Sequence, residues 1–494
     1  MKKLDPLSLG MVRLLLRPVY AKLNRAGYRC DYWADPILQP DLFKEIQANR
    51  SGACARLDGF RYTVAYYIYI KGGIFQLCRE ALALFLSPRR RTLKNCSLKF
   101  RAPEKINIAA DSEVDPRAIL VVGANIPRAE VSAGDLAIIG ILENLRQLGF
   151  APVFVPLTMA DEADAAAFSD RYGVHVPCVQ NGYRNAEDFI ARVGKDFATF
   201  FIIAREAAQM VLSMCRMVAP SARVIFHAPD VAFLREERCA VVAPEGDAHR
   251  IAVRNKHIEL SLMQKSDLVV TVSDNDAHVL RLAGLTVPIA VHQALNVPVR
   301  ENTPDFEDRN DMFFLGNFGH KPNIDAAVWC CREIWPKICE DLPDARLHII
   351  GSGGGQLRNA FADIDRVVFH GFVPDLSPLL LSMRLCLAPL RYGAGIKGKV
   401  AMSLGAGVPC VCTSIAAEGM LLVNNETVCV GDSPSDFASA AVRLYSDKEL
   451  WDKLSHQGKE HVRRHFTLEA NKRSLHSLFG AFPEYSWLDS QKTA

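Results

Sequence analysis

Apolar and polar positions alternate along this chain in two long blocks. The first opens at Ala118-Ile-Leu-Val-Val122, a continuous apolar run, as expected for a parallel strand covered on both faces. Gly123 to Asp135 reads as a loop, Leu136 to Leu148 has helical periodicity closed by Gly149, and Ala151 to Pro156 is the next strand. Further strand-like runs follow at Phe200 to Ala204, Arg223 to His227, Leu268 to Val272 and Ile289 to Val291. The second block starts near Asp311. It predicts strands at Met312 to Leu315, Leu347 to Ile350, Val367 to Phe369, Leu385 to Pro389, Val408 to Cys412 and Thr427 to Val430, with a helix over Asp325 to Ile338. From Pro434 through Phe479 the pattern is two or three helices. Strands alternating with helices build parallel doubly wound sheets. Two such units in series, joined near Pro298 to Asp311, place a ligand cleft between them at the carboxyl ends of the strands.

The expected fold class is therefore α/β: two Rossmann-like parallel-sheet domains with a cleft between them, plus a mostly helical N-terminal extension. The domain reading is 1–110 for the extension, 111–300 and 305–480 for the two units, and 481–494 for a tail. A chain of 494 residues is long enough for that division.

Charge sharpens the picture of the extension. Residues 1–101 carry 19 Lys+Arg against 7 Asp+Glu, a net of +12, while the whole chain has a net charge of only +3. Within it Leu7, Met11, Leu14, Leu15 and Val19 recur at helical spacing, and Pro88-Arg89-Arg90-Arg91 closes a second apolar stretch. Apolar and aromatic residues beside a basic cluster suit an anionic membrane surface. They equally suit a small helical domain with its arginines in water. No clean transmembrane span is expected, because Lys71, Arg79 and Glu80 break the best candidate, Tyr62 to Ser87. A cleavable signal peptide is not expected either, since Arg13 and Arg17 interrupt the first apolar run. The 14 cysteines are scattered, many of them in apolar runs, without zinc-ligand spacing. They read as small buried hydrophobes in a reducing, cytoplasmic compartment.

The candidate chemistry lies in Ala388 to Gly419. A strand opens into a loop holding Gly393, Gly395 and Gly398 with Arg391, Lys397 and Lys399 among them, and a short helix-like run, Val400 to Ala406, follows. Glycines let backbone amides approach an anion, and a helix N-terminus and basic side chains favour negative charge. This predicts a phosphate cradle, set against the plainer possibility of a strand–loop–helix crossover with surface lysines. Two other motifs compete. Asp274-Asn275-Asp276 matches a metal–nucleotide DxD pattern, but it follows Ser273 at the start of an apolar helix, where capping accounts for it. Gly351-Ser-Gly353-Gly-Gly355 suggests a dinucleotide fingerprint, but Gln356 replaces the last glycine and no acid ends the next strand.

Several stretches together resemble a family. They are Phe314 to Asn323 (FLGNFGHKPN), Pro343 to Ser352, His370-Gly-Phe-Val-Pro-Asp-Leu376, the loop just described with Glu418-Gly419, and Ala133-Gly134-Asp135. From about Ala118 to Phe479 the chain resembles the retaining glycosyltransferases of the two-Rossmann-domain type, GT-B, family 4. The resemblance implies transfer of a sugar from a nucleotide-sugar, UDP- or GDP-linked, with retained anomeric configuration and with neither an essential metal nor a cofactor. It implies a glycan or lipid-linked acceptor in bacterial surface polysaccharide assembly, and no nucleic-acid partner.

By that resemblance His227, Lys397 and Glu418 are the candidate catalytic residues. Gly134 and Asp135 would face the donor from the first domain, and Asp230 would orient His227 or the acceptor. Gly316, Asn317, Arg391, Gly393, Gly395 and Lys399 would hold it from the second, and Gly371, Phe372 and Val373 would lie under the base. Glu259, on a helix before Ser273, is expected to pack and pair. Many family members carry two glutamates with seven residues between them in the donor loop, and those places are Ala394 and Met402 here. Close relatives often have histidine at the place of Ala232. These departures leave open a second class, a non-catalytic scaffold that binds a nucleotide-sugar or glycan.

Overall fold

The computed structural model describes residues 114–129, 132–242 and 248–490. The expectations for residues 1–101 lie outside the described residues. Two six-stranded sheets, all parallel, organise the rest. The first has the order β2-β1-β3-β4-β5-β6, from β1 (Ala118–Gly123), β2 (Ala151–Pro156), β3 (Thr199–Ile203), β4 (Arg223–Ala228), β5 (Leu268–Thr271) and β6 (Ile289–Val291). The second has the order β12-β11-β10-β7-β8-β9. Its strands are β7 (Asn310–Leu315), β8 (Leu347–Ile350), β9 (Val367–Gly371), β10 (Met383–Ala388), β11 (Cys410–Cys412) and β12 (Cys429–Val430). Each order reverses once, between β1 and β3 and between β7 and β10, and a ligand crevice opens at such a reversal.

The unbroken apolar runs form strands because both faces are covered. Along β1, Leu120 and Val122 join Phe200, Val224 and Phe226 in one core layer. Ile119 and Val121 join Phe201, Ile225 and Val270 in the opposite layer. The second sheet has its own core, which includes Phe313, Trp335, Leu385 and Val411. Among the described residues most cysteines are buried free thiols, including Cys330, Cys331, Cys386, Cys410 and Cys412, while Cys239 and Cys339 are only partly buried.

Two local departures have physical causes. The third strand stops at Ile203, because Ala204 turns at φ +70° straight into the helix Ala204–Val218. The helix expected over Asp325 to Ile338 is interrupted. Lys321–Trp329 and Trp335–Asp341 flank a π-helical turn at Cys330–Ile334. Pro336 has no N–H to donate to the preceding turn and its ring crowds that turn's carbonyl, so the ladder slips by one residue.

The last helices connect the two halves. Pro434–Ser446 and Lys448–His465 pack on the second sheet, through Phe437, Leu444, Trp451 and Leu454. Leu468–Gly480 returns to the first, where Leu475, Leu478 and Phe479 enter its core. Asn144 donates to Leu468 O at 3.1 Å, and the Tyr485 and Thr199 hydroxyls share a 2.5 Å hydrogen bond.

Candidate functional site

The carboxyl ends of the two sheets face each other, and the glycine-rich loop after β10 fills the seam. Gly395 stands at φ +66°, and a Cβ there would lie 2.5 Å from Pro229 O and 3.1 Å from Asp230 Cβ. Only glycine permits that approach. A Cβ on Gly398 would lie 2.2 Å from Ala133 Cβ. Gly398 opens the helix Gly398–Gly405 and Ala133 opens the helix Ala133–Gln147. Two helix N-termini therefore converge on one point across the cleft, each bringing unpaired amides and the positive end of its dipole.

Lys397 sits beside this point. It is buried, and its Nζ donates to Gly395 O at 2.5 Å. Burial pulls its amine down to about 8, while Glu418 and Asp276 oppose the shift. Gly393 lies against it, since a Cβ there would be 3.5 Å from Lys397 Cε. Glu418 does not face open space. Arg238, on the helix Ala232–Val242, donates to Glu418 Oε2 at 2.6 Å, to Glu418 Oε1 at 2.7 Å and to Gly393 O at 2.7 Å. Lys397, Gly393, Gly395 and Glu418 are thus brought together with Asp230, Asp276 and Arg238 from the first sheet's side.

Lys399 and Arg391 belong to other contacts. Lys399 donates to Asn323 Oδ1 at 2.5 Å and lies 4.7 Å from the Phe314 ring centre. Burial brings its amine to about 8 as well. Asn323 in turn donates to Asn317 O at 2.8 Å, so Lys399 braces the loop that holds Gly316 and Asn317. Arg391 pairs with Asp325 through Nε at 2.9 Å and lies over Trp329, inside its own domain. Gly371 O accepts from Gly351 N at 2.8 Å, Phe372 is half exposed at the loop tip, and Val373 packs on the second core.

On the first sheet's side, His227 is the penultimate residue of β4 and is buried against Phe201, with ring centres 5.4 Å apart. Burial, helped by His292, lowers it to about 3, so the ring is neutral. Among the described residues its Nδ1 has no hydrogen-bond partner, and neither do Asn275 Nδ2 and Asp276 Oδ2. Gly134 is exposed, and Asp135 is half-buried with its carboxyl raised by burial. Asp230 pairs with Arg235. Glu259 caps the helix Ala232–Val242, accepting from Ala232 N at 3.1 Å and Phe233 N at 2.8 Å, and burial raises it to about 7.

Both competing motifs have structural roles. Ser273 Oγ accepts from Asp276 N at 3.0 Å, the expected cap. Among the described residues no group of acidic, histidine or cysteine side chains forms a metal site. A Cβ on Gly351 would meet Gly316 O at 1.7 Å, and one on Gly354 would meet Phe369 at 2.6 Å. Gly351, Gly353 and Gly354 pack closely on the first loop of the second sheet. Arg238 and Asp276 carry site contacts that sequence reasoning did not assign. The Asp276 signal was visible but was absorbed into the helix cap.

Fold and site together define a two-Rossmann-domain protein of the GT-B architecture with a charged, glycine-rich loop in its cleft. Residues 309–447 match the family model described as "Glycosyl transferases group 1". A curated relative, YtcC of Bacillus subtilis (strain 168), named as a glycosyltransferase, is 26% identical over 189 residues, 35% of this chain and 46% of its own. The chain thus spans about half the length of that relative.

Three solved structures share the fold. Sucrose-phosphate synthase of Thermosynechococcus elongatus has a TM-score of 0.54 at 15% identity, over 73% of this chain and 98% of its own. Anabaena HepE in complex with UDP-glucose has a TM-score of 0.55 at 12% identity, over 74% and 99%. The pneumococcal O-GlcNAc transferase GtfA in complex with UDP and GlcNAc has a TM-score of 0.54 at 10% identity, over 73% and 98%. The family match covers the second domain, and the solved structures share the GT-B architecture across both domains.

Proposed function

We propose that this protein is a retaining glycosyltransferase of family 4. It moves a sugar from a UDP- or GDP-sugar to a glycan or lipid-linked acceptor in bacterial surface polysaccharide assembly. The observation that carries the reading is the meeting of two helix N-termini at Gly398 and Ala133 beside buried Lys397. A departing nucleoside diphosphate must have its charge stabilised, and preorganised amides and a desolvated lysine are suited to that task. In this reading Lys397 neutralises the leaving group, and the helix amides bind its phosphate oxygens without an essential metal. His227 orients the sugar as a neutral ring, and Phe372 with Gly371 and Val373 supports the base.

The test is incubation with a panel of UDP- and GDP-sugars, with and without membranes and with and without EDTA, following release of nucleotide. Release that survives EDTA is expected. No release under any condition would reject the enzyme. The second reading, a binding scaffold, is favoured by Ala394 and Met402, which offer no carboxylate. It predicts nucleotide binding without turnover.

The +12 extension gives this enzyme a route to a lipid-linked acceptor on the cytoplasmic membrane face. Among the described residues no helix is long and apolar enough to cross a membrane. Binding of the full chain to anionic vesicles, lost in a chain starting at Pro103, is the expected result.

A further inference from the structure

The loop after β10 carries a charged contact beside the proposed diphosphate site. Arg238 forms a two-pronged pair with Glu418, at 2.6 and 2.7 Å, and the same guanidinium reaches Gly393 O at 2.7 Å. The two side chains keep 23% and 21% exposure, so the pair is reachable from the cleft. Lys397 also lies against Gly393, its Cε 3.5 Å from where a Cβ there would stand. Two cations, Arg238 and Lys397, therefore adjoin one glycine of the loop. Two acids, Glu418 and Asp276, face Lys397 and offset that positive charge. An incoming diphosphate meets a cluster whose cations are already matched by carboxylates. It gains full attraction only if one acid moves away. A guanidinium fork fits phosphate as well as it fits carboxylate, so exchange of one for the other keeps the hydrogen bonds made.

The released acid has a use. Ala394 and Met402 leave the loop short of carboxylates, and Glu418 is anchored at its edge. The following residue, Gly419, is so close to Ser273 that a Cβ there would lie 2.6 Å from Ser273 Cβ. That packing fixes the backbone beside Glu418.

Resting on the glycosyltransferase reading of this same site, we infer that Arg238 and Glu418 form an exchangeable latch. The diphosphate of a nucleotide-sugar takes over the Arg238 guanidinium and frees the Glu418 carboxylate to accept hydrogen bonds from hydroxyls of the transferred sugar. Arg238 is then a donor-binding residue supplied by the first domain, and Glu418 a sugar-recognition residue that is masked until the donor arrives.

The test is calorimetric titration of the full chain with UDP, UDP-glucose, GDP and GDP-mannose. The proteins are the wild type, R238Q, R238K, E418Q and the R238Q/E418Q double variant, each checked by thermal melting. R238Q should weaken the bare diphosphate about tenfold, and R238K less. E418Q should bind the bare diphosphate several-fold more tightly, because its competitor for Arg238 is gone, and should lose the preference for the sugar-bearing form. In the R238Q background the E418Q gain should vanish. A purely structural ion pair would instead weaken all ligands alike in both single variants. The latch is overturned if R238Q binds as the wild type does, or if E418Q melts normally yet binds bare diphosphate more weakly. If the wild type binds no nucleoside diphosphate, the glycosyltransferase reading itself fails, and the latch with it.

Discussion

Gly398 and Ala133 touch across the cleft, with no room for a methyl group between them. Closure of the two domains at the candidate anion site thus depends on a hydrogen atom at position 398. G398A should hold the cleft open and weaken nucleotide binding by roughly tenfold or more, since overpacking of this kind costs about 1–3 kcal/mol. The fold should survive, because the clash lies between the domains. Adding A133G should recover much of the loss. Titration with UDP compares the single and double variants, and a double variant as weak as G398A would place the defect elsewhere.

Nucleotide affinity should fall as pH rises through about 8. Lys397 and Lys399 are both held near 8 by burial, below the ordinary value of 10.5. Of the two, Lys397 lies beside the helix ends, and only its protonated amine attracts a diphosphate, whose own charge no longer changes in this range. The sign for stability is opposite. Between about 8 and 10.5 the unfolded chain binds more protons at these sites than the folded one, so their contribution to stability rises with pH. Calorimetric titration at three pH values across that window, repeated with K397M, should show a shallower decline in the variant.

Acid should loosen the first domain before it protonates most carboxylates. Burial lowers His227 to about 3 and His292 to about 4, against an ordinary value near 6.5. The unfolded chain therefore binds more protons than the folded one as pH falls below about 6.5, and stability falls with it, by a few kcal/mol at most. His292 also bonds Ser474 Oγ at 3.1 Å, which ties the strap helix Leu468–Gly480 to the first sheet. Melting temperatures between pH 7 and pH 4.5 should drop less steeply in H292Q than in the wild type.

The glycines of the run from Gly351 to Gly355 should differ sharply from one another. Gly351 has φ +144° and faces Gly316 O, whereas a Cβ on Gly355 meets nothing within 4 Å. G351A should destabilise the second domain by roughly 3 kcal/mol or more, while G355A should be close to neutral. Urea unfolding of both variants decides it. Equal, small effects would contradict the packing role assigned to this turn.

Much of the architecture was readable along the chain. All twelve strands among the described residues overlap apolar runs, because a parallel strand covered on both faces is built mainly of apolar side chains, with a few buried exceptions such as Thr199 and His227. The loop from Gly393 to Lys399 was readable as well, since glycines and lysines before a short helix have few other uses. Ser273 announced its helix by local capping chemistry.

What the sequence by itself determined was therefore burial and local backbone geometry: which runs form strands, where helices start, and that a glycine–lysine loop follows β10. What only the tertiary structure decided was which charges meet. Glu418 finds Arg238 from 180 positions away, Arg391 turns to Asp325 and Lys399 to Asn323, and Lys397 is left beside the two helix ends. Hydrophobic periodicity is a property of neighbouring residues and is written along the chain. An ion pair depends on a separation of a few ångströms between side chains, and that distance exists only after two sheets and the helices around them have been packed.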